Sequence, residues 1–447
     1  MKIAPARQIA FQILRTVAST DAHSDDLLRT RRMDALSPQD RALVTTLVLG
    51  TLRWQIKLDA LIRPLLSRPD TRLSTVVETT LRLGAFQLLY LDRIPAYAAI
   101  NDSVELAKQS GDAPAARMVN AVLRKVAKLP RAIEPSELET AQQIATAFAH
   151  PLWLVDSWSS FYGLDIAAAI CRFNQEPAAI SIRLLDPDAE TALNAEGVQL
   201  QPGEFLTSAR RVISGDIVRG RPFLEGRIRI QDEASQLVAE LAGTGNTILD
   251  TCAAPGGKTA ILAERNPRAA ITAWDISERR LDAMRRILAP SGDRISLEIR
   301  DASEAKLQQQ YDLILCDVPC SGTGTIARNP EIRFRINNDE IARQHQRQVQ
   351  ILSAALAGLL PRGRLLYSTC SLEPEENEAV VAESLEKIPG FTHRPLHHEL
   401  EALRAKRAVT DAGALQLNTS ALKDGFLRTI PGIHNCDGFF AALITRD

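Results

Sequence analysis

The 447-residue chain has no apolar run approaching the roughly 20 residues that a membrane-spanning helix requires, so no integral membrane segment is expected. Its six cysteines (171, 252, 316, 320, 370 and 436) are thinly spread and form no CxxC pair. That excludes a disulfide framework and a cysteine-built zinc site, and it fits a reducing compartment. The seven histidines show no metal-ligand spacing, so no metal is expected. Large net charge is also absent: the formal total is −1, which lacks the bulk basicity of many nucleic-acid binders but leaves room for a basic face. No internal repeat or low-complexity segment breaks the chain. What is present is the composition of a globular protein, 45% hydrophobic and 24% charged, too long for one ordinary core.

The first third reads as helices. Ile9, Ile13, Leu14 and Val17 make one helical stripe, which favours a first domain helix over a targeting peptide and places the protein in the cytoplasm. Ser37-Pro38 is an N-cap followed by proline at the first helical position, ahead of the nearly all-apolar "ALVTTLVLGTLRW". "STVVETTLRLGAFQLLYL", "AAINDSVELAKQSG" and "AARMVNAVLRKVAKLP" extend the all-α bundle to about Pro130. Arg29, Arg31, Arg32, Arg124, Lys125, Lys128 and Arg131 outnumber nearby acids and are candidate RNA-facing residues. A polar connector helix is expected from about Ser136 to Ala149, followed by a small α+β domain carrying "AAISIRLL" and "RRVISGDIVRG". From Gly226 the pattern becomes strand, loop, helix, repeated. The strand candidates are "TILDTCAA", "AAITAWD", "RISLEIRD", "YDLILCD" and "GRLLYSTC". Such alternation predicts a doubly wound parallel sheet, Rossmann-like, with Asp250, Asp275, Asp301, Asp317 and Cys370 along the carboxyl edge where ligands bind. The expected division is therefore 1–133 helical, 134–225 connector and α+β, and 226–447 α/β.

"LDTCAAPGGKTAIL" supports two nucleotide-type readings. Gly257-Lys258-Thr259 mimics the end of a phosphate-binding P-loop, but that motif needs glycine where Cys252 stands. The better reading is S-adenosylmethionine: Asp275 is placed for ribose hydroxyls and Asp301 for the adenine amine. Enzymes that methylate exocyclic base amines carry Asn/Asp-Pro-Pro-aromatic after the fourth strand; this chain has Asp317-Val318-Pro319-Cys320. A thiol suits attack on an unreactive ring carbon. C5 of cytosine becomes nucleophilic once a thiolate adds to C6, and Cys320 and Cys370 end or follow adjacent strands. Asp317 could hydrogen-bond the cytosine N3. Residue chemistry leaves open which thiol attacks.

"DTCAAPGGKT", "DVPCSGTGT", "STCSLEPEENE" and "CDGFF", in that order, resemble the RNA (cytosine-5)-methyltransferases, and "RIQDEASQLVAELA" resembles the segment leading into their catalytic domain. "AAINDSVELAK" and "VNAVLRK" resemble the RNA-binding NusB domain; "NQEPAAISIRL" carries the weaker match of the middle part. The resemblance implies an enzyme that methylates C5 of a cytosine in 16S ribosomal RNA, monomeric, without metal or membrane. It implies that Cys252, Ala253, Ala254, Pro255, Gly256, Gly257, Lys258, Asp275, Asp301 and Asp317 hold S-adenosylmethionine. It further implies that Cys370 is the nucleophile and that Cys320 assists product release. Val318 stands where the family more often has alanine, and Phe334 where it often has tryptophan. Two rival readings are a non-catalytic ribosome-assembly or antitermination factor and a DNA cytosine-5 methyltransferase. The paired thiols count against the first, the NusB-like part and the Thr-Cys motif against the second.

Overall fold

The computed structural model describes residues 3–110, 113–130, 138–304 and 309–446. They form two compact units: Met1–Pro177 together with Ile326–Arg335, and Ala178–Thr325 together with Ile336–Asp447.

The first unit is all helical among its described residues. Its first helix, Pro5–Ser19, buries Ile13, Leu14 and Val17, three of the four residues of the expected stripe. The helix Pro38–Arg53 starts where Ser37 accepts a hydrogen bond from the Asp40 amide at 3.1 Å. It packs mainly against Pro5–Ser19 and Thr75–Tyr90, and the helices Ala96–Gln109 and Ala116–Val126 extend the same core. Arg7 cross-links the bundle, donating to Gln87 at 2.6 Å and to Asp102 at 2.9 Å. Of the expected connector helix, Ala141–Ala147 is present behind a Thr140 capping box, while Ser136 lies outside the described residues. Arg131 also lies outside them; the other six basic candidates are exposed. The helices Leu152–Tyr162 and Leu164–Phe173 complete the unit.

Residues 326–335 follow the Pro-Cys motif in sequence yet pack with these helices. Arg333 is completely buried, and its guanidinium donates to the carbonyls of Arg53 at 3.2 Å, Ala149 at 3.1 Å and Asn174 at 3.5 Å. Burial lowers it to about 9. Arg53 in turn donates to the Ala327 carbonyl at 2.9 Å, and Glu331 accepts from the Ser24 amide at 2.7 Å and its hydroxyl at 2.9 Å.

The second unit contains two sheets. The smaller is antiparallel in the order β2-β3-β1-β4, with β1 Ile180–Leu184, β2 Gln199–Pro202, β3 Ala209–Ser214 and β4 Ile228–Ile230. The expected β-prone runs supply β1 and β3. The larger sheet begins with β5 Thr247–Asp250, β6 Ala270–Asp275, β7 Ile295–Ile299, β8 Tyr311–Asp317 and β9 Leu359–Thr369, the five strands anticipated from sequence. They pair in parallel in the order β7-β6-β5-β8-β9. The sheet is mixed, not purely parallel. β13 Phe439–Arg446 runs antiparallel beside β9, and β10 Phe391–Arg394, β11 Leu422–Lys423 and β12 Phe426–Thr429 continue that antiparallel edge.

Alternate residues face opposite sides, as strand geometry requires. Ile248, Leu313, Leu315, Leu366 and Leu443 pack under the helices Glu233–Ala242 and Gly257–Arg265. Leu249, Ile314, Cys316, Leu365, Tyr367 and Phe440 pack under Asn338–Ala357 and Glu378–Lys387. Both faces are apolar because both are covered, each fully buried aliphatic side chain contributing about 1.5–3 kcal/mol. The chain steps from β5 outward to β6 and β7, then crosses back to β8 on the other side of β5 and on to β9, so the topological switch point lies between β5 and β8.

Candidate active site

The loop after β5 and the helix Gly257–Arg265 put Lys258 at that switch point. Gly256 caps the helix with φ +100°, a left-handed conformation; a Cβ there would also come within 2.6 Å of the Met284 side chain. Lys258 donates to Asp317 at 2.8 Å, joining the loop after β5 to the end of β8. Burial acts to lower the ammonium, but Asp317, Cys370 and Asp250 outweigh it and hold Lys258 above its ordinary value. Its Nζ also sits 4.8 Å from the centre of the Phe439 ring, in the "CDGFF" motif. The other oxygen of Asp317 accepts from the Ser368 hydroxyl at 2.7 Å.

The sulfur atoms of Cys320 and Cys370 are 3.3 Å apart. β8 and β9 are parallel neighbours with Asp317 opposite Ser368, so the residues that follow each strand emerge side by side. The Cys320 thiol is held above its ordinary value. Its hydrogen bond to Cys370, its burial and the nearby Glu376 all push the thiol well up. Cys320 and Cys370 are half-buried, whereas Cys171, Cys316 and Cys436 are buried.

Three loops interlock around the thiols. The Gly324 amide donates to the Cys370 carbonyl at 2.9 Å, and the Gly438 amide donates to the Gly324 carbonyl at 2.8 Å. The Leu372 amide donates to the Thr323 hydroxyl at 2.9 Å. Glu376, wholly buried, accepts from the Ser321 amide at 2.8 Å, from the Ser321 hydroxyl and from the Ser371 hydroxyl at 2.5 Å. Gln348 donates to Glu376 at 3.0 Å and to the Pro319 carbonyl at 2.9 Å.

Asp250 and Asp275 end β5 and β6 as the pattern anticipated, whereas Asp301 lies two residues beyond the end of β7. Asp250 is buried and pushed up to about 7 by desolvation; its Oδ2 accepts from the Thr259 hydroxyl at 2.7 Å. Asp275 accepts from the Ser277 amide at 2.9 Å, with Arg280 3.3 Å from its other oxygen. Arg280 also donates to the Ala254 carbonyl at 2.7 Å, tying Asp275 to the loop after β5. Asp301 accepts from the amide and hydroxyl of Ser303 at 2.9 and 2.6 Å, bonds that hold its carboxyl low. His434 stands apart from this chemistry: Nδ1 accepts from the Ile430 amide at 2.8 Å and Nε2 pairs with Ser420 at 3.0 Å. Among the described residues no group of histidines, cysteines and acids is arranged to hold a metal ion, and no helix is long and apolar enough to cross a membrane.

Sequence reasoning missed Arg280, Gln348 and Glu376. Glu376 lies in a quoted motif, but four glutamates fall between 373 and 378, and nothing in their order tells which one turns inward. Gln348 sits mid-helix with no local signal at all.

Residues 240–445 match the family model described as 16S rRNA methyltransferase RsmB/F, and residues 4–128 match the NusB family. A protein of Bacillus subtilis strain 168, named as a probable ribosomal RNA small subunit methyltransferase B, is 32% identical over 457 residues, covering 98% of each chain. The chain belongs to the 16S rRNA methyltransferase RsmB/F family. A Pseudomonas putida protein named ribosomal RNA small subunit methyltransferase B is 34% identical to this methyltransferase, covering 86% of this chain and 89% of its own. The crystal structure of PH0851 shares the fold of this rRNA methyltransferase over 99% of both chains, with a TM-score of 0.78 at 22% identity. Residues 4–128 of the helical unit are thus the NusB domain that the sequence resemblance implied, and the larger sheet is a methyltransferase fold extended by antiparallel strands.

Proposed function

We propose that this rRNA methyltransferase transfers the methyl group of S-adenosylmethionine to C5 of a cytosine in 16S ribosomal RNA, with Cys370 as nucleophile. The observation that carries the reading is the 3.3 Å approach of two half-buried thiols beside the Lys258–Asp317 pair.

The edge residues fit the methyl donor. Asp275 and Asp301 each present a carboxylate whose four lone-pair sites are only partly used, leaving acceptors for hydroxyls and an amine. Ile276, 56% exposed beside Asp275, offers apolar surface for a planar base. The segment from Cys252 to Lys258 would hold the amino-acid end. When bound, S-adenosylmethionine supplies an electrophilic methyl group.

The chain's own residues prepare the cytosine. Cys370 adds through its thiolate to C6, and Asp317, steadied by Lys258 and Ser368, shares a proton with N3 so that the ring accepts the electron pair. C5 then carries the nucleophilic electrons. After methylation a solvent base takes the C5 proton, the C–H pair re-forms the C5–C6 double bond, the C6–sulfur pair leaves with Cys370 as thiolate, and N3 gives its shared proton back to Asp317. Cys320, whose thiol is pushed well up, lies 3.3 Å from that sulfur and assists the elimination by hydrogen bonding to the departing thiolate. The attack comes from the ring face, so the cytosine must be unstacked; that costs a few kcal/mol in a duplex and least in a loop. We assign RNA contacts to the exposed arginines and lysines of the NusB domain and to the small sheet, keeping 1–133, 134–225 and 226–447 as the working division of labour, in a cytoplasmic monomer.

The test is to incubate the protein with labelled methyl donor and 16S rRNA from cells lacking the enzyme, with DNA in parallel, and to map the label. Label at C5 of one cytosine is expected; label on an exocyclic amine, or preferential transfer to DNA, overturns the reading.

A further inference from the structure

We propose that Glu376 is a positioning residue that sets the spacing of the two sulfur atoms by hydrogen bonding to the residue after each cysteine. The inference rests on the catalytic reading of the thiol pair.

A fully buried carboxyl is expensive to keep unless it is satisfied, and a packing role alone does not call for one. Every donor to the Glu376 carboxyl is a neutral N–H or O–H, and three of the four belong to the residues that immediately follow the cysteines. Ser321 follows Cys320 and Ser371 follows Cys370, and their hydroxyls lie 3.0 Å from each other. Gln348, the fourth donor, also holds the carbonyl of Pro319, the residue before Cys320. The Pro-Cys loop is therefore gripped on both sides of its thiol, and one carboxyl closes the link to the Thr-Cys loop. Asn377, next in sequence, secures the same loop by donating to the Ser371 carbonyl at 3.0 Å. Burial pushes the Glu376 carboxyl up while the serine and glutamine bonds pull it down, as expected of a desolvated acceptor held by donors and not by a cation. Glu376 bonds to neither sulfur; it acts through the two serines and Gln348, and through its charge near Cys320.

The spacing is read directly by diamide, which takes up the two thiol hydrogens and leaves a Cys320–Cys370 disulfide, followed by mass spectrometry of the bridged peptides. E376A is expected to cross-link about tenfold more slowly than wild type, with kcat lowered about 100-fold and KM for RNA within about twofold, because a misplacement near 1 Å costs that much. E376Q still accepts from the Ser321 amide and can donate to both hydroxyls, so it should cross-link within about threefold of wild type. Wild-type cross-linking and kcat in E376A overturn the proposal, as does an E376Q variant as slow as E376A. If E376A lacks a cooperative melt, the S321A/S371A double variant takes its place: it keeps the carboxyl but unhooks both hydroxyls, and a wild-type cross-linking rate there overturns the proposal equally. The two failures separate. A wild-type protein that forms no adduct with RNA counts against the catalytic reading, whereas unchanged spacing in E376A counts against Glu376.

Discussion

Gly324→Ala should cripple the enzyme without touching a reactive group. A Cβ at residue 324 would lie 2.2 Å from the Gly438 carbonyl oxygen, 2.7 Å from its carbon and 2.8 Å from the Cys370 oxygen. Ordinary van der Waals contact begins near 3.4 Å, so the loops must part by about 1 Å. All three atoms are backbone, and no rotamer change relieves them. Overpacking typically costs 1–3 kcal/mol and more where nothing can yield, so about 3 kcal/mol is expected here. For a unit of this size that lowers the melting temperature by about 6 °C or more. The same displacement pulls on the Cys370 carbonyl, which accepts from the Gly324 amide, and so disturbs the thiol spacing. Adduct formation with RNA should slow about 100-fold. Calorimetry and single-turnover trapping would measure the two effects. A G324A protein that melts with wild type and forms adduct at the wild-type rate would refute the interlocked-loop account.

Other expected outcomes follow from the same geometry. C320A should accumulate a covalent RNA–protein adduct visible on denaturing gels, because addition proceeds and elimination stalls; rapid turnover in that variant would count against the assigned order of steps. R333A leaves three carbonyls in the NusB-domain unit without their buried donor and should cost about 3 kcal/mol or more, read as an earlier thermal transition. Asp250 is raised from the ordinary 3.8 to about 7, so its contribution to stability is fullest below about 3.8 and is lost as pH rises to about 7. At about 1.4 kcal/mol per unit that loss is on the order of 4 kcal/mol. D250N should show a shallower fall in melting temperature between pH 5 and 8 than wild type.

The parallel strands were legible because each is a short apolar run ending in a polar residue, and the rule that ligands gather at carboxyl ends located Asp317, Cys320 and Cys370 correctly along one edge. The helical bundle was legible from its caps and stripes, Ser37-Pro38 being the clearest. The antiparallel strands β10 to β12 were not, because two to four residues carry too little periodicity to register, and the eight-residue β13 was missed because Phe439-Phe440 read as a motif instead of a strand start. Nor could the sequence say that Arg333, close behind the Pro-Cys loop, is buried among N-terminal helices; an arginine there reads as surface until its three carbonyl partners are known. Lys258 was assigned to the cofactor loop, and its bond to Asp317 depends on strand order, which no local pattern encodes.

The account stands on the identity of the sulfur that bonds to the base. RNA carrying 5-fluorocytosine at the modified position, incubated with the protein and methyl donor, should yield a stable adduct whose peptide mass maps to Cys370 and disappears in C370A. An adduct on Cys320, or C370A protein that still methylates RNA, would contradict it.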